Sequence, residues 1–263
     1  MEPYTRFRST VGYYVRFRRR YPHSLIEKVA RRCGLDGRGR LLDLGCGPGF
    51  IAIAMAPYFA EVVGVDPLPA MLRAAAREAR AAGVKLKLKR GSSETLSKEL
   101  GLFRMAAMGR AFHWMERDAT LAALNELVEP GGTVALLSEH MTNAPENRWS
   151  AAWDAVANKW SREAFEWRRF RRGPDWEQHD VVLRRSPFSA VERLSVVQTH
   201  QIEIDEIIGR TYSKSITSPA VLGVNRRAFE KEMREALLAI SPSGSFTEII
   251  EYAALLAWRP SAK

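Results

Sequence analysis

One stretch limits what this chain can fold into more than any other: Leu41-Leu42-Asp43-Leu44-Gly45-Cys46-Gly47-Pro48-Gly49-Phe50. Leu41, Leu42 and Leu44 are the short apolar run of a buried strand. Gly45, Gly47 and Gly49 let the backbone turn sharply and come close to a ligand, because no side chain intervenes. Ile51 to Tyr58 continue as an apolar helix, its N-terminal N–H groups and positive dipole end facing whatever the loop holds. A second apolar strand, Val62-Val63-Gly64-Val65-Asp66, ends in a carboxylate. Doubly wound sheets bind ligands at the carboxyl ends of their strands. An acid at that position accepts both hydroxyls of a ribose, and Asp66 lies 17 residues past Gly49, close to the spacing of nucleoside-binding folds.

The dinucleotide fingerprint needs a third glycine at position 50, which is Phe50, and the Walker pattern with its lysine cannot be laid on these residues. What stands is D-x-G-x-G-x-G, from Asp43 to Gly49. It resembles motif I of the class I S-adenosylmethionine-dependent methyltransferases. That resemblance implies an α/β fold, a doubly wound, seven-stranded, mostly parallel sheet, with S-adenosylmethionine as cofactor. It gives Gly45, Cys46, Gly47 and Gly49 to the methionine half of the cofactor and Asp43 to its amino group. Asp66 falls to the ribose, and Ser92, Ser93 and Glu94 to the adenine, with Ser92 where the family often has Asp. Pro67, Met71, Gly109, Arg110 and Ala111 are further cofactor-binding positions that it implies.

Three other segments strengthen the resemblance. Tyr14-x-x-Phe17-Arg18-x-x-Tyr21-Pro22 is similar to a segment that lies over the cofactor pocket in many small-molecule methyltransferases, with Arg19 where many relatives have proline. By charge and by its place there, Arg18 is the candidate for the cofactor's carboxylate; Tyr14 and Tyr21 face the substrate. Ala111-Phe112-His113-Trp114 resembles the A-F-H-W sequence of the same group, beside the sulfonium and its methyl. Pro130-Gly131-Gly132 is a helix stop and reversal into a strand. Residues 1–21, with six arginines among aromatics, also have the composition of a single-strand nucleic-acid binder. The lid reading is preferred.

Along the chain, Ser24-x-x-Glu27 reads as a capping box opening a helix, and Pro69 to Ala82 as a second helix. Val84, Leu86 and Leu88 alternate with Lys85, Lys87 and Lys89, an edge strand with one wet face. Phe103–Met108 and Thr133–Ser138 are a fourth and fifth strand, joined by a helix that Asp118 caps. Residues 139–187 then break the strand–helix rhythm and hold five of the seven tryptophans. Trp149, Trp153, Trp160 and Trp167, with Val156 and Ala164, fall on one helical face. A helical cap inserted after the fifth strand is expected over the pocket, with Trp153 and Trp160 toward the substrate and a basic run at 168–172. Strands near 191–199 and 202–205, a helix near 226–240 and a strand at 249–258 complete the chain. The expected division is a lid at 1–21, a methyltransferase domain at 22–140 and 188–263, and a cap at 141–187.

The 263 residues suit one large α/β domain with an insertion. No apolar run approaches the roughly 20 residues that span a bilayer. With only Cys33 and Cys46 there is no disulfide framework or metal-ligand spacing. A cytoplasmic protein without membrane association or metal is expected, and a homodimer is compatible. The net charge of +10 admits an anionic small molecule or nucleic acid as partner. The arginines of the pocket region favour an anionic small-molecule substrate and oxygen methylation at a carboxylate. A carboxylate is already ionised at pH 7, so it needs orientation and no base. For a phenol or carbon acid, His113 and His140 are the general-base candidates; His113 as a plain pocket wall is the alternative. RNA methylation is supported by charge alone, since the N-P-P-Y type tetrapeptide of base-amine methyltransferases is missing. A catalytically silent cofactor-binding protein is the third class.

Overall fold

The computed structural model describes residues 7–161, 166, 169–170, 173–174 and 176–260. Tyr4, Ala164, Trp167, Arg168, Arg171 and Arg172 lie outside the described residues. Seven strands form one mixed sheet: β1 (Arg40–Leu44), β2 (Glu61–Asp66), β3 (Lys87–Arg90), β4 (Phe103–Gly109), β5 (Val128–Met141), β6 (Ala190–Glu203) and β7 (Ser245–Trp258). Their order is β3-β2-β1-β4-β5-β7-β6. The strands β1 to β5 pair in parallel and β7 runs antiparallel, which is the doubly wound methyltransferase sheet expected. Both neighbours of β1 are parallel strands, Leu41 standing opposite Val62 on one side and Met105 on the other. A strand in that position is covered on both faces, which is why its sequence is a continuous apolar run.

The helices are α1 (Val11–Phe17), α2 (His23–Arg32), α3 (Phe50–Met55), α4 (Pro69–Ala81), α5 (Arg117–Asn125), α6 (Trp149–Trp160), α7 (His179–Arg184), α8 (Ile204–Tyr212), α9 (Pro219–Leu222) and α10 (Arg226–Leu238). The chain divides into two compact units. One comprises Arg20–Glu139, Glu177–Val196 and Tyr252–Lys263; the other comprises Met1–Arg19, His140–Trp176 and Val197–Glu251. The core of the first is built on sheet residues such as Leu42, Val63, Phe103 and Met108, with Leu121 and Leu124 of α5 and Phe188 packed on them. The second has its own core, where Trp149 and Trp153 of α6 meet Tyr212 of α8, Phe229 and Met233 of α10, and Phe246. No described helix is long and apolar enough to cross a membrane.

Several local expectations are corrected. The stretch at 202–205 is not a separate strand: β6 runs on to Glu203 and α8 starts at Ile204, opened by a capping box in which Glu203 and Glu206 bond each other's backbone N–H. Ile204, Ile207, Ile208 and Tyr212 share the 3.6-residue repeat that the shorter alternation had masked. Helix α2 begins one residue before Ser24, on the carbonyl of Pro22, so Ser24 lies inside the first turn. Asp118 likewise lies within the first turn of α5 and pairs with Arg185 at 2.8 Å. Helix α3 stops at Met55, where Pro57 favours a 3-10 turn. The edge strand starts only at Lys87, and its lysine pairs with Glu61. Pro130-Gly131-Gly132 is not a turn between elements but a bulge within β5: Val128 faces Phe103 and Thr133 faces Met105, so residues 129–132 bow out opposite Arg104. Gly132 has to be glycine there, because a Cβ would stand 2.9 Å from the Arg104 carbonyl oxygen.

Candidate functional site

The glycine loop sits at the carboxyl ends of β1 and β2, and its three glycines serve different ends. Gly45 has φ +69°, and a Cβ there would stand 2.7 Å from the Ala111 Cβ, so it lets the segment after β4 close on the loop. Gly49 has φ +79° and packs on Ala75 of α4. Gly47 has φ +53° and faces open space, with no atom within 4 Å of where a Cβ would be. The backbone at Gly47 is therefore the part of the loop that a ligand can approach.

Two buried carboxylates hold the loop in shape. Asp66, 7% exposed, accepts the Gly47 N–H at 2.9 Å on one oxygen and the Leu68 N–H at 2.8 Å on the other. Each oxygen keeps a second lone pair, which suits it to accept from a vicinal diol. Burial raises its pKa, and the two backbone donors work against that rise. Asp43, 1% exposed, accepts the Ala52 N–H at 3.0 Å and so ties the end of β1 to the first turn of α3. Burial pushes Asp43 up to about 7; the Ala52 bond opposes this and the charge of Asp66 adds to it. Between them, Gly45 and Cys46 donate their N–H groups to the Val65 carbonyl at 2.8 and 3.0 Å. The Cys46 thiol is raised well above its ordinary range by burial, then by the two carboxylates, and is a neutral packing group.

The rest of the rim follows strand by strand. After β2 come Pro67, half-buried, and Met71, buried in the first turn of α4. After β3, Ser92 opens a 3-10 turn with Thr95, whose hydroxyl accepts the Ser92 N–H at 2.8 Å. Glu94 is held below the usual carboxylate range by the Ser92 hydroxyl, and Ser93 donates to it at 3.0 Å. After β4, Gly109 leaves room for Ile51 and the Tyr21 hydroxyl, which donates to the Leu137 carbonyl at 3.0 Å. Arg110 is the one non-glycine among the described residues with positive φ (+56°), and it pairs with Glu139 at 2.6 Å. Left-handed backbone at such a residue is strain held in place by its surroundings.

Ala111 and Met115 both lie against Gly45, which places the turn between them, Phe112-His113-Trp114, beside the glycine loop. That turn gathers residues from far downstream. The His179 ring meets Phe112 edge-on at 5.2 Å and lies nearly parallel to His113 at 6.4 Å. Arg117 donates to the Glu177 carbonyl at 2.7 Å and stands 3.5 Å from His179 Nδ1. His113, Arg117 and His179 thus form a half-buried basic group next to the loop. Sequence reasoning missed Arg117 and His179. Neither belongs to a local pattern, and only the chain's return at α7 brings His179 to Phe112.

The remaining sequence candidates, Tyr14, Arg18, His140, Trp153 and Trp160, fall in the other unit. His140 is exposed, next to the last residue of β5. Arg18 lies over the Tyr14 ring at 5.4 Å. Trp153, expected at the substrate, packs in its own unit's core and donates to Thr211 Oγ1 at 2.6 Å, with Lys214 over its ring. Trp160 packs beside that core and donates to Glu232 at 2.8 Å. Their helix needs an apolar partner, and α8 and α10 supply it. Among the described residues, no group of three or more His, Cys, Asp or Glu side chains is arranged to hold a metal.

Residues 41–132 match a family described as a methyltransferase domain. An uncharacterized methyltransferase of Mycobacterium tuberculosis is 28% identical over 219 residues, covering 81% of this chain and 79% of that protein. A ubiquinone biosynthesis O-methyltransferase of Xanthomonas campestris pv. campestris is 32% identical over 121 residues, 45% of this chain and 50% of that one. The fold is shared with a methyltransferase of Thiobacillus denitrificans, solved in complex with S-adenosyl-L-homocysteine. The TM-score is 0.55 at 16% identity, covering 97% of this chain and 98% of that one.

Proposed function

We propose that the chain is a class I S-adenosylmethionine-dependent methyltransferase that methylates a small apolar acid at a carboxylate oxygen, a reading supported by the matching methyltransferase domain at residues 41–132 and by the shared fold. The cofactor supplies a methyl group on a sulfonium, so the protein's part is position and electrostatics. The residues fit it. Gly47 offers open backbone for the amino-acid half, Asp66 offers lone pairs to the ribose, and Ser92 to Glu94 form the polar turn for the adenine. Asp43 orients the amino group through the loop it anchors. Asp66→Ala is expected to weaken S-adenosylhomocysteine binding by about 1.5–3 kcal/mol, the scale of hydrogen bonds to a charged group. Calorimetry giving the wild-type affinity would remove Asp66 from the ribose site.

The observation that carries the acceptor class is the basic group of His113, Arg117 and His179 beside the glycine loop. Such a group holds one oxygen of a carboxylate while the other attacks, and no proton has to be removed. The name of the Xanthomonas relative, an O-methyltransferase, agrees with oxygen as the acceptor atom. The test is a panel of small carboxylic acids, phenols and amines with labelled cofactor. Base-labile methyl esters from the acids are expected. Product only from phenols, or only from RNA, would overturn the reading.

His113 is a pocket wall and anion contact on this reading. His113→Ala is therefore expected to raise the acceptor's KM more than it lowers kcat. A fall in kcat of about a hundredfold at unchanged KM would mean general-base work and a less acidic nucleophile.

A further inference from the structure

The end of β4 is pinned residue by residue. Gly109 pairs with Leu137 of β5, and a Cβ on it would stand 2.3 Å from Ile51 of α3. Arg110 follows with its backbone left-handed at φ +56°. Ala111 then lies against Gly45, its Cβ 2.7 Å from where one on that glycine would be. Three consecutive residues thus meet three different elements, and the sharp turn that links them falls on the middle one. Glycine or asparagine is the usual choice for such a backbone. A Cβ crowds the following carbonyl oxygen there, and asparagine offsets this with a local hydrogen bond. An arginine stays in that conformation only when its surroundings hold it.

Those surroundings are on β5. The Arg110 N–H donates to the Leu137 carbonyl at 3.1 Å. The Arg110 guanidinium donates from Nη1 to Glu139 Oε1 at 2.6 Å, two residues further along the strand, and lies over the Tyr21 ring at 5.4 Å. Tyr21 is itself fixed. Its hydroxyl donates to the same Leu137 carbonyl at 3.0 Å, and its ring meets Tyr252 edge-on at 6.4 Å. The side chains of Arg110 and Glu139 are 14% and 16% exposed. Salt screens a pair so shielded far less than one in open solvent. Strand β5 therefore clamps Arg110, and Arg110 delivers Ala111 and the turn Phe112-His113-Trp114 onto the glycine loop.

We infer that Arg110 and Glu139 are positioning residues, which keep residues 111–115 seated on Gly45 so that this wall of the cofactor site is formed before the cofactor arrives. The inference rests on the reading of the glycine loop as the cofactor site. A wall already in place has no freedom left to lose on binding, so affinity is gained without a new contact. The guanidinium is turned to Glu139 and acts through the backbone that it fixes. No proton or group is transferred in this role.

The test uses the full-length protein and two readouts, calorimetry with S-adenosylhomocysteine as the probe and amide exchange without ligand. The reporting amides are Trp114 and Met115, which donate to the Ala111 and Phe112 carbonyls. Glu139→Gln is expected to weaken binding about three- to tenfold, the scale of a group left to be ordered on binding, and to quicken exchange at both amides. The Gly45 and Cys46 amides, bonded to the Val65 carbonyl, keep their wild-type protection, which separates a loosened wall from a loosened fold. Arg110→Asn accepts the left-handed backbone but brings no charge, and has the same effect. Arg110→Lys keeps a cation for Glu139 and restores most of the affinity. The double variant Arg110→Asn/Glu139→Gln leaves no shielded charge uncompensated, so it folds, and it binds no more weakly than Arg110→Asn alone. Wild-type affinity in Glu139→Gln overturns the inference, as does unchanged exchange at Trp114 and Met115. Wild-type affinity in Arg110→Asn overturns it too, since position 110 is then a plain turn residue. A wild-type protein that does not bind S-adenosylhomocysteine overturns the reading of the loop itself, which is a different failure.

Discussion

Alanine at Gly45 and alanine at Gly47 are expected to fail in opposite ways. At Gly45 the new methyl group meets two penalties. The backbone is left-handed at φ +69°, which costs an L-residue about 1–2 kcal/mol. The Cβ also lands 2.7 Å from the Ala111 Cβ, an overlap that forces backbone movement at a further cost of about 1–3 kcal/mol. Gly45→Ala should therefore lose about 2–5 kcal/mol of stability, and cofactor binding with it. At Gly47 the left-handed cost remains, but there is no clash, because nothing lies within 4 Å. Gly47→Ala should fold with a loss of only about 1–2 kcal/mol and yet bind S-adenosylhomocysteine at least about tenfold more weakly, since the methyl stands where the ligand approaches the backbone. Denaturant midpoints and calorimetry on both variants check this. Wild-type affinity in Gly47→Ala would mean that the ligand uses another face of the loop. A fully stable Gly45→Ala would mean that the segment from Gly109 to Met115 can shift freely.

The second large effect is a pH dependence that originates in Asp43. Its folded pKa, about 7, lies above the ordinary carboxylate value of 3.8 because burial outweighs the Ala52 hydrogen bond. The folded protein therefore holds the proton more tightly than the unfolded chain does. That preference is fully present below the unfolded pKa and is lost as pH rises to the folded one. Asp43 thus makes the cofactor-free protein less stable by on the order of 4 kcal/mol as pH climbs from about 4 to about 7, at 1.36 kcal/mol per pKa unit. Asp43→Asn removes the titration while its amide oxygen can still accept from Ala52. The variant is expected to flatten the dependence of stability on pH over that window and to be the more stable protein at pH 8. A slope unchanged from wild type would show that Asp43 is ionised throughout and that its burial is compensated elsewhere. Cofactor binding that places an ammonium near Asp43 would lower its pKa, so binding near pH 6.5 should release protons, measurable by calorimetry in buffers of different ionisation enthalpy.

What the sequence determined by itself is the central sheet with its loop. The determinants of that region are contiguous. An apolar run reads as a buried strand, glycines at alternate positions read as a close-approach turn, and an acid closes the next strand. Each is set by the conformational freedom of a few neighbouring residues. The structure keeps Asp43, Gly45, Gly47 and Asp66 at the carboxyl ends of β1 and β2. The tryptophan stripe was legible to the same degree, as a face that must be covered, since helical spacing is local too.

Only the tertiary structure decided what covers that face and which distant groups meet. The partners of Trp153 come from α8 and α10, beyond β6, and one of those helices hid behind an Ile-x-Ile alternation that fits a strand as well as it fits a helix. His179 reaches His113, and Arg19 reaches Glu248, across separations along which no periodicity runs. Such pairings are fixed by the packing of whole elements. A buried charge then selects its partner from whatever the fold brings within reach, and a single sequence holds no local trace of that choice.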